Sequence, residues 1–132
     1  MGVGARFGRI LPLWRWLPVV VWMALIFYLS SQPKEDLPSF GWLDLLVKKT
    51  AHFSAYAILA LLCYRASGRV GWSLLITVLY AVTDEYHQTF VLNRHGAPID
   101  VAIDTLGGWL ALRWQQVRLQ ARRAAPERGE SG

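Results

Sequence analysis

Three short stretches hold residues that could do acid-base or anion-binding chemistry. "AVTDEYHQTF", positions 81 to 90, gathers Asp84, Glu85, His87 and Gln88; "KTAHFSAY" carries Lys49, His52 and Tyr56; "DVAIDTLGG" carries Asp100 and Asp104, with Arg94 a few residues upstream. Neighbouring carboxyl groups and an imidazole can move protons when their surroundings hold them in different protonation states. Lysine, arginine and glutamine can grip an anionic group meanwhile. The candidate catalytic groups are therefore His52, Asp84 and Glu85. The candidate ligand-binding groups are Lys49, Tyr56, Gln88, Arg94, Asp100 and Asp104.

The elements that must position these residues are strongly apolar. Hydrophobic residues make up 54% of the 132, with seven Trp, more than a small soluble domain needs. Four blocks stand out, Leu17–Ser31, Thr50–Tyr64, Trp72–Phe90 and Ile99–Trp114. Several fall a little short of the roughly 20 residues of an ideal membrane span, a shortfall that tilt, thinning and flanking anchors absorb. Trp14, Trp16, Trp42, Trp72, Trp109 and Trp114 lie mostly near block ends, as interfacial belts do. A soluble bundle would need polar helix faces, which the first and third blocks barely have. The expected fold is all-α, an integral membrane bundle of four transmembrane helices. A basic segment 1–16 precedes the membrane domain 17–114, and a basic tail 115–132 follows it.

Orientation follows from the basic residues. With the N-terminus inside, the inner side carries Arg6, Arg9, Arg15, Arg65, Arg69, Arg113, Arg118, Arg122, Arg123 and Arg128, and the outer side only Lys34, Lys48, Lys49 and Arg94. Short basic segments stay cytoplasmic, so both termini are expected in the cytoplasm and the 32–48 and 91–98 connections outside. The net charge of +5 thus needs no nucleic acid partner. The tail "RWQQVRLQARRAAPERGESG" reads as a juxtamembrane helix lying on anionic lipid. The first block resembles a signal peptide in its basic flank, but "FYLSSQP" offers no small-x-small cleavage site, and retention as a helix is expected.

In this orientation the polar stripes meet. Lys49, His52 and Tyr56 descend about 10 Å from the outer face at 1.5 Å per residue. Thr77, Ala81, Asp84, Glu85 and Gln88 share an arc of about 100° on the third helix, while Tyr86 points to lipid. Asp100, Asp104, Gly107 and Ala111 line the fourth. The stripes share one depth, and ionised groups at such a depth face the bundle interior and find partners there. An outward-facing charged pocket is expected, with Asp84, Glu85, Asp100 and Asp104 set against Lys49 and Arg94, joined by Lys48 or protonated His52. Four acids against two firm cations require at least one acid to keep its proton, with Glu85 and Asp104 the candidates.

Other chemistries have weaker signals. His52, Glu85, His87 and Asp100 offer metal-ligand atoms, but no H-E-x-x-H or paired-Cys motif appears and His87 lies off the shared arc, so no metal and no cofactor is expected. No G-x-S-x-G elbow or phosphate loop is present; "RASGRVG" reads as a tight cytoplasmic turn. Cys63 reads as an apolar packing residue.

The combination of "KTAHFSAY", "DEYHQTF", Arg94 and "DVAIDTLGG", with "FYLSSQP" ending the first helix, resembles the VanZ-like family of membrane proteins, named for a protein associated with resistance to the glycopeptide teicoplanin. Many members carry Asn where this chain has Asp104. The resemblance implies a small multi-pass protein of the bacterial cytoplasmic membrane and cell envelope, and implies no particular reaction. Three classes of function follow for the pocket. It binds the polar or anionic head of an envelope lipid or lipid-linked saccharide and transforms it; it only binds that head group, or passes a proton or ion; or its charges are structural and the chain is an assembly partner in a larger membrane complex. Binding of an envelope lipid or ligand head group, with or without a reaction, is favoured over ion passage and over the structural role, with the lipid bilayer as partner in each.

Overall fold

The computed structural model describes residues 13–32, 41–92, 94 and 96–125. They form a short 3-10 turn, Leu13–Trp16, and four helices: α1, Leu17–Ser30; α2, Trp42–Ser67; α3, Val70–Gln88; and α4, Pro98–Ala124. No strand occurs among the described residues. Two stretches, Leu13–Ser30 and Trp42–Ser67, are long and apolar enough to cross a membrane.

Helix ends follow local chemistry. Pro sits in the first turn of α1 and of α4, where a missing N–H costs nothing. Gly68 ends α2 with a left-handed φ of 69°, a conformation only glycine takes freely, and its N–H donates to Tyr64 O at 2.7 Å. Arg69 alone then separates it from α3, so "RASGRVG" is the tight turn its glycines suggested.

Two boundaries differ from the sequence expectation. α2 begins at Trp42, eight positions before Thr50, so 42–48 is helix and not connection. The reason lies in its first turns: Asp44 complements the helix N-terminus and pairs with Lys48 one turn on at 3.3 Å, so charges that looked like loop are helix surface. Pro33 and Pro38 lie outside the described residues. α4 runs on past Trp114 to Ala124, taking Arg118, Arg122 and Arg123 along as continuous helix.

α2 is the central element, touching α1, α3 and α4, with its broadest contact on α4. Glycines permit that contact: a Cβ at Gly107 would stand 2.5 Å from Phe53 O, and one at Gly108 would meet Thr77 and Ala60. α1 is stitched on by Trp22 Nε1 donating to Ala55 O at 2.9 Å and by the Tyr80 hydroxyl donating to Met23 O. The apolar core gathers Val19, Ile26, Tyr56, Leu59, Cys63, Ala66 and Ala81.

Polarity is inverted relative to a water-soluble bundle. Ser30, Ser73, Thr77, Asp84, Glu85, Gln88 and Asp104 are buried, while Leu17, Val21, Phe27, Leu79, Tyr86 and Leu106 are exposed. Exposed apolar surface on this scale needs an apolar solvent.

Candidate functional site

Asp84 is the centre of the polar interior. It is 1% exposed, and its Oδ2 accepts hydrogen bonds from three helices: Ser30 Oγ of α1 at 2.9 Å, Tyr56 OH of α2 at 3.1 Å, and Gln88 Nε2 one turn along α3 at 3.3 Å. Thr77, Ala81, Asp84, Glu85 and Gln88 are all buried, so the arc drawn from 100° spacing is the inward face of α3, extended by Ser73. Tyr86 lies outside at 67% exposed.

Beside this hub three helices each bring one ionisable group to a second cluster. His52 Nδ1 of α2 lies 3.5 Å from Asp104 Oδ1 of α4, and Glu85 of α3 completes the trio, with one donor atom from each within 4.8 Å of the others. Asp104 is fully buried and neither of its oxygens has a hydrogen-bond partner; His52 Nδ1 and Glu85 Oε1 lack one as well. The other Glu85 oxygen, Oε2, accepts the Ala97 N–H at 3.1 Å and ties α3 to the start of α4. Gly96 allows this approach, since a Cβ there would run into the backbone carbonyl of Glu85.

The cations are distributed differently from the sequence expectation. Lys49 forms an ion pair with Asp100, joining α2 to α4, and so has a partner of its own. Lys48 lines a cleft of about 230 Å³ between α1 and α2, together with Ser30, His52, Tyr56 and Arg94 over an apolar floor that includes Ile26 and Ala55. Arg94 pairs with no described carboxylate. Its Nε donates to Gln32 O at 2.8 Å and its Nη2 to Leu29 O at 3.4 Å. The physical reason is the open end of α1: the last carbonyls of a helix lack intrahelical partners and carry partial negative charge, which a guanidinium satisfies.

The structure therefore brings together His52, Tyr56, Asp84, Glu85, Gln88 and Asp104, with Lys49 and Asp100 as a pair beside them and Arg94 across the cleft. His87 stays apart, stacked on Phe27 at 4.2 Å between ring centres and sharing a hydrogen bond with Ser31 Oγ at 2.9 Å. Ser30 and Ser31 also enter these polar contacts. Their only signal in the sequence is a pair of hydroxyls ending an otherwise apolar helix.

The family model VanZ/LLP1 matches residues 15–114, which takes in every helix up to the middle of α4. No curated protein and no solved structure matches the chain.

Proposed function

Since the chain belongs to the VanZ/LLP1 family of envelope-associated membrane proteins, we propose that it is a four-span protein of the bacterial cytoplasmic membrane whose α1/α2 cleft binds the anionic or polar head group of an envelope lipid or lipid-linked saccharide. The observation that carries this reading is the composition of the cleft. Lys48 and Arg94 supply two permanent positive charges, Ser30, His52 and Tyr56 supply hydrogen-bonding groups, and Ile26, Leu29, Ala51 and Ala55 supply an apolar wall for the attached chain. Arg94 spends two donors on α1 and keeps others of its five for a ligand.

Both termini are cytoplasmic in this reading, which puts the cleft on the outer leaflet. The basic helical run at Arg113, Arg118, Arg122 and Arg123 supports that orientation, because an anionic inner leaflet attracts it. Labelling of single cysteines placed at Ser39 and Ser131 from outside intact cells should mark the first and spare the second; the reverse would put the cleft on the wrong side. In this reading His52, which lines the cleft beside Asp104 and Glu85, moves a proton to or from a bound head group.

The direct test is the lipid that copurifies. Mass spectrometry should find one head-group class enriched over bulk membrane in the wild-type protein, and that enrichment should vanish in Lys48→Ala/Arg94→Ala. Equal lipid profiles for the two would mean that the cleft holds no head group. Turnover of the enriched lipid, lost in His52→Ala, separates an enzyme from a binder.

A further inference from the structure

We infer that His52, Glu85 and Asp104 form a binding site for one divalent transition cation, of the Zn2+ or Mn2+ class, in the interior of the bundle. The proposal does not depend on what occupies the α1/α2 cleft.

Geometry is the first ground. The three donors come from α2, α3 and α4, and the three atoms offered lie within 4.8 Å of one another. Ligands bound tetrahedrally at about 2.0–2.2 Å stand roughly 3.4 Å apart. His52 Nδ1 and Asp104 Oδ1 are separated by 3.5 Å. That is long for a hydrogen bond, whose usual N···O distance is about 2.9–3.0 Å, and suited to two ligands of one ion.

The second ground is independent of the first. Buried polar atoms in a folded protein are almost always paired. Here Asp104, fully buried, has both oxygens without a partner, and Glu85, 5% exposed, has its Oε1 without one. His52 Nδ1 joins them. Glu85 Oε2 is meanwhile held by the Ala97 N–H, an outer contact of the kind that fixes a ligating carboxylate and leaves its second oxygen free. Asp84, whose Oδ2 accepts three donors and whose Oδ1 has no partner, lies outside the group of three donor atoms that fall within 4.8 Å of one another.

Charge is the third. Two buried carboxylates beside an imidazole need compensation. Among the described residues no Lys or Arg pairs with the trio: Lys49 pairs with Asp100, and Lys48 and Arg94 line the α1/α2 cleft. A 2+ ion balances the two acids, which does the work that the sequence reading gave to a retained proton. One imidazole nitrogen among carboxylate oxygens favours a transition ion over Mg2+ or Ca2+, which take oxygen ligands. The trio is reached from two sides, since His52 lines the α1/α2 cleft and Glu85 lines a second, more open recess with Gly96, Ala97 and Val101.

The test uses full-length protein in mild detergent, stripped with chelator and then equilibrated with ZnCl2 or MnCl2. Elemental analysis after removal of free metal should find one ion per chain in wild type. Removing an outer-shell partner costs roughly 10–100-fold in affinity, so Asp104→Asn and Glu85→Gln, which remove ligands themselves, should weaken binding by at least about 100-fold. His87→Ala and Cys63→Ala should bind as wild type does, as should Lys48→Ala/Arg94→Ala, which disables the cleft alone. Co2+ should give visible d–d absorption in wild type and none in Asp104→Asn. Asp104→Asn is nearly isosteric; its helicity and monodispersity in metal-free detergent certify the comparison, and it decides the matter if Glu85→Gln fails to fold. Wild-type protein that retains no metal above buffer, or folded Asp104→Asn that holds it as tightly as wild type, overturns the site.

Discussion

The two ends of the α2–α3–α4 bundle bury polar groups in different ways. Near the α2–α3 turn, Ser73 Oγ donates to Arg69 O and Thr77 Oγ1 to Ser73 O, both at 2.7 Å, so each hydroxyl finds an acceptor within four residues; across the turn α2 adds Ser67 Oγ, 3.2 Å from Ser73 Oγ, and otherwise small apolar residues such as Cys63 and Ala66. Near the α3–α4 connection, polar groups reach between helices: Ser30 and Tyr56 to Asp84, and the Ala97 N–H to Glu85. Among the described residues, all six buried side-chain atoms without a partner lie on His52, Asp84, Glu85, Asp104 and Thr105, at this same end. The first end leaves no buried side-chain polar atom without a partner among the described residues. The second carries more polar capacity than the fold consumes, and surplus of this kind is what a binding site needs before its ligand arrives.

The largest effect that would break the contrast is loss of the hub. Asp84→Ala should destabilise the protein by about 3 kcal/mol or more, because it strands three donors that all end on one charged acceptor. Asp84→Asn keeps an oxygen in place and should cost about half as much. Chemical unfolding in detergent, followed by circular dichroism, measures both. Equal and small losses would mean that the hub is as dispensable as a surface group and that the two ends do not differ in how they are held.

The packing of α4 on α2 should respond to volume and not to charge. Gly107→Val would drive its side chain into the Phe53 carbonyl, 2.5 Å from where the Cβ would stand, and should cost about 1–3 kcal/mol by forcing α4 off α2. Gly71→Ala, with nothing within 4 Å, should instead be neutral or gain up to about 1 kcal/mol from helix propensity. The same unfolding assay reads this pair, and a silent Gly107→Val would show that the close α2–α4 contact is not what closes the bundle.

How much of this could be read from the chain depended on periodicity. Asp84, Glu85 and Gln88 were legible as one inward face because a 3.6-residue repeat put Thr77 and Ala81 on the same arc, and the helix did so. On α4 the inward face is Asp104, Gly107, Gly108 and Leu112, a small rotation from the stripe through Ala111 that the adjacent glycines make possible. Ser30 was not legible, because α1 is apolar on all sides and shows no face to extrapolate from. Arg94 sits in a connection, where no period sets direction; its charge alone points to carboxylates, and it bonds the open end of α1. The start of α2 is hard to see in the sequence because Asp44, Lys48 and Lys49 look like a polar connection unless the one-turn spacing of Asp44 and Lys48 is given weight.

The smallest expected effect on stability is also the sharpest test of what the polar end is for. Lys48 and Lys49 are adjacent, so they diverge by about 100° around the helix, and one faces the cleft while the other pairs with Asp100. Lys49→Ala removes a partly exposed pair and should cost no more than about 1 kcal/mol, with the lipid profile unchanged. Lys48→Ala gives up only an exposed i,i+4 pair with Asp44, worth about 0.3–0.5 kcal/mol, yet it should diminish head-group enrichment because it removes one of the two cleft cations. Stability and lipid content measured on the same two preparations would then rank the lysines in opposite orders. Identical rankings would mean that Lys48 is surface charge like any other, and that the surplus at this end serves the buried trio without the cleft.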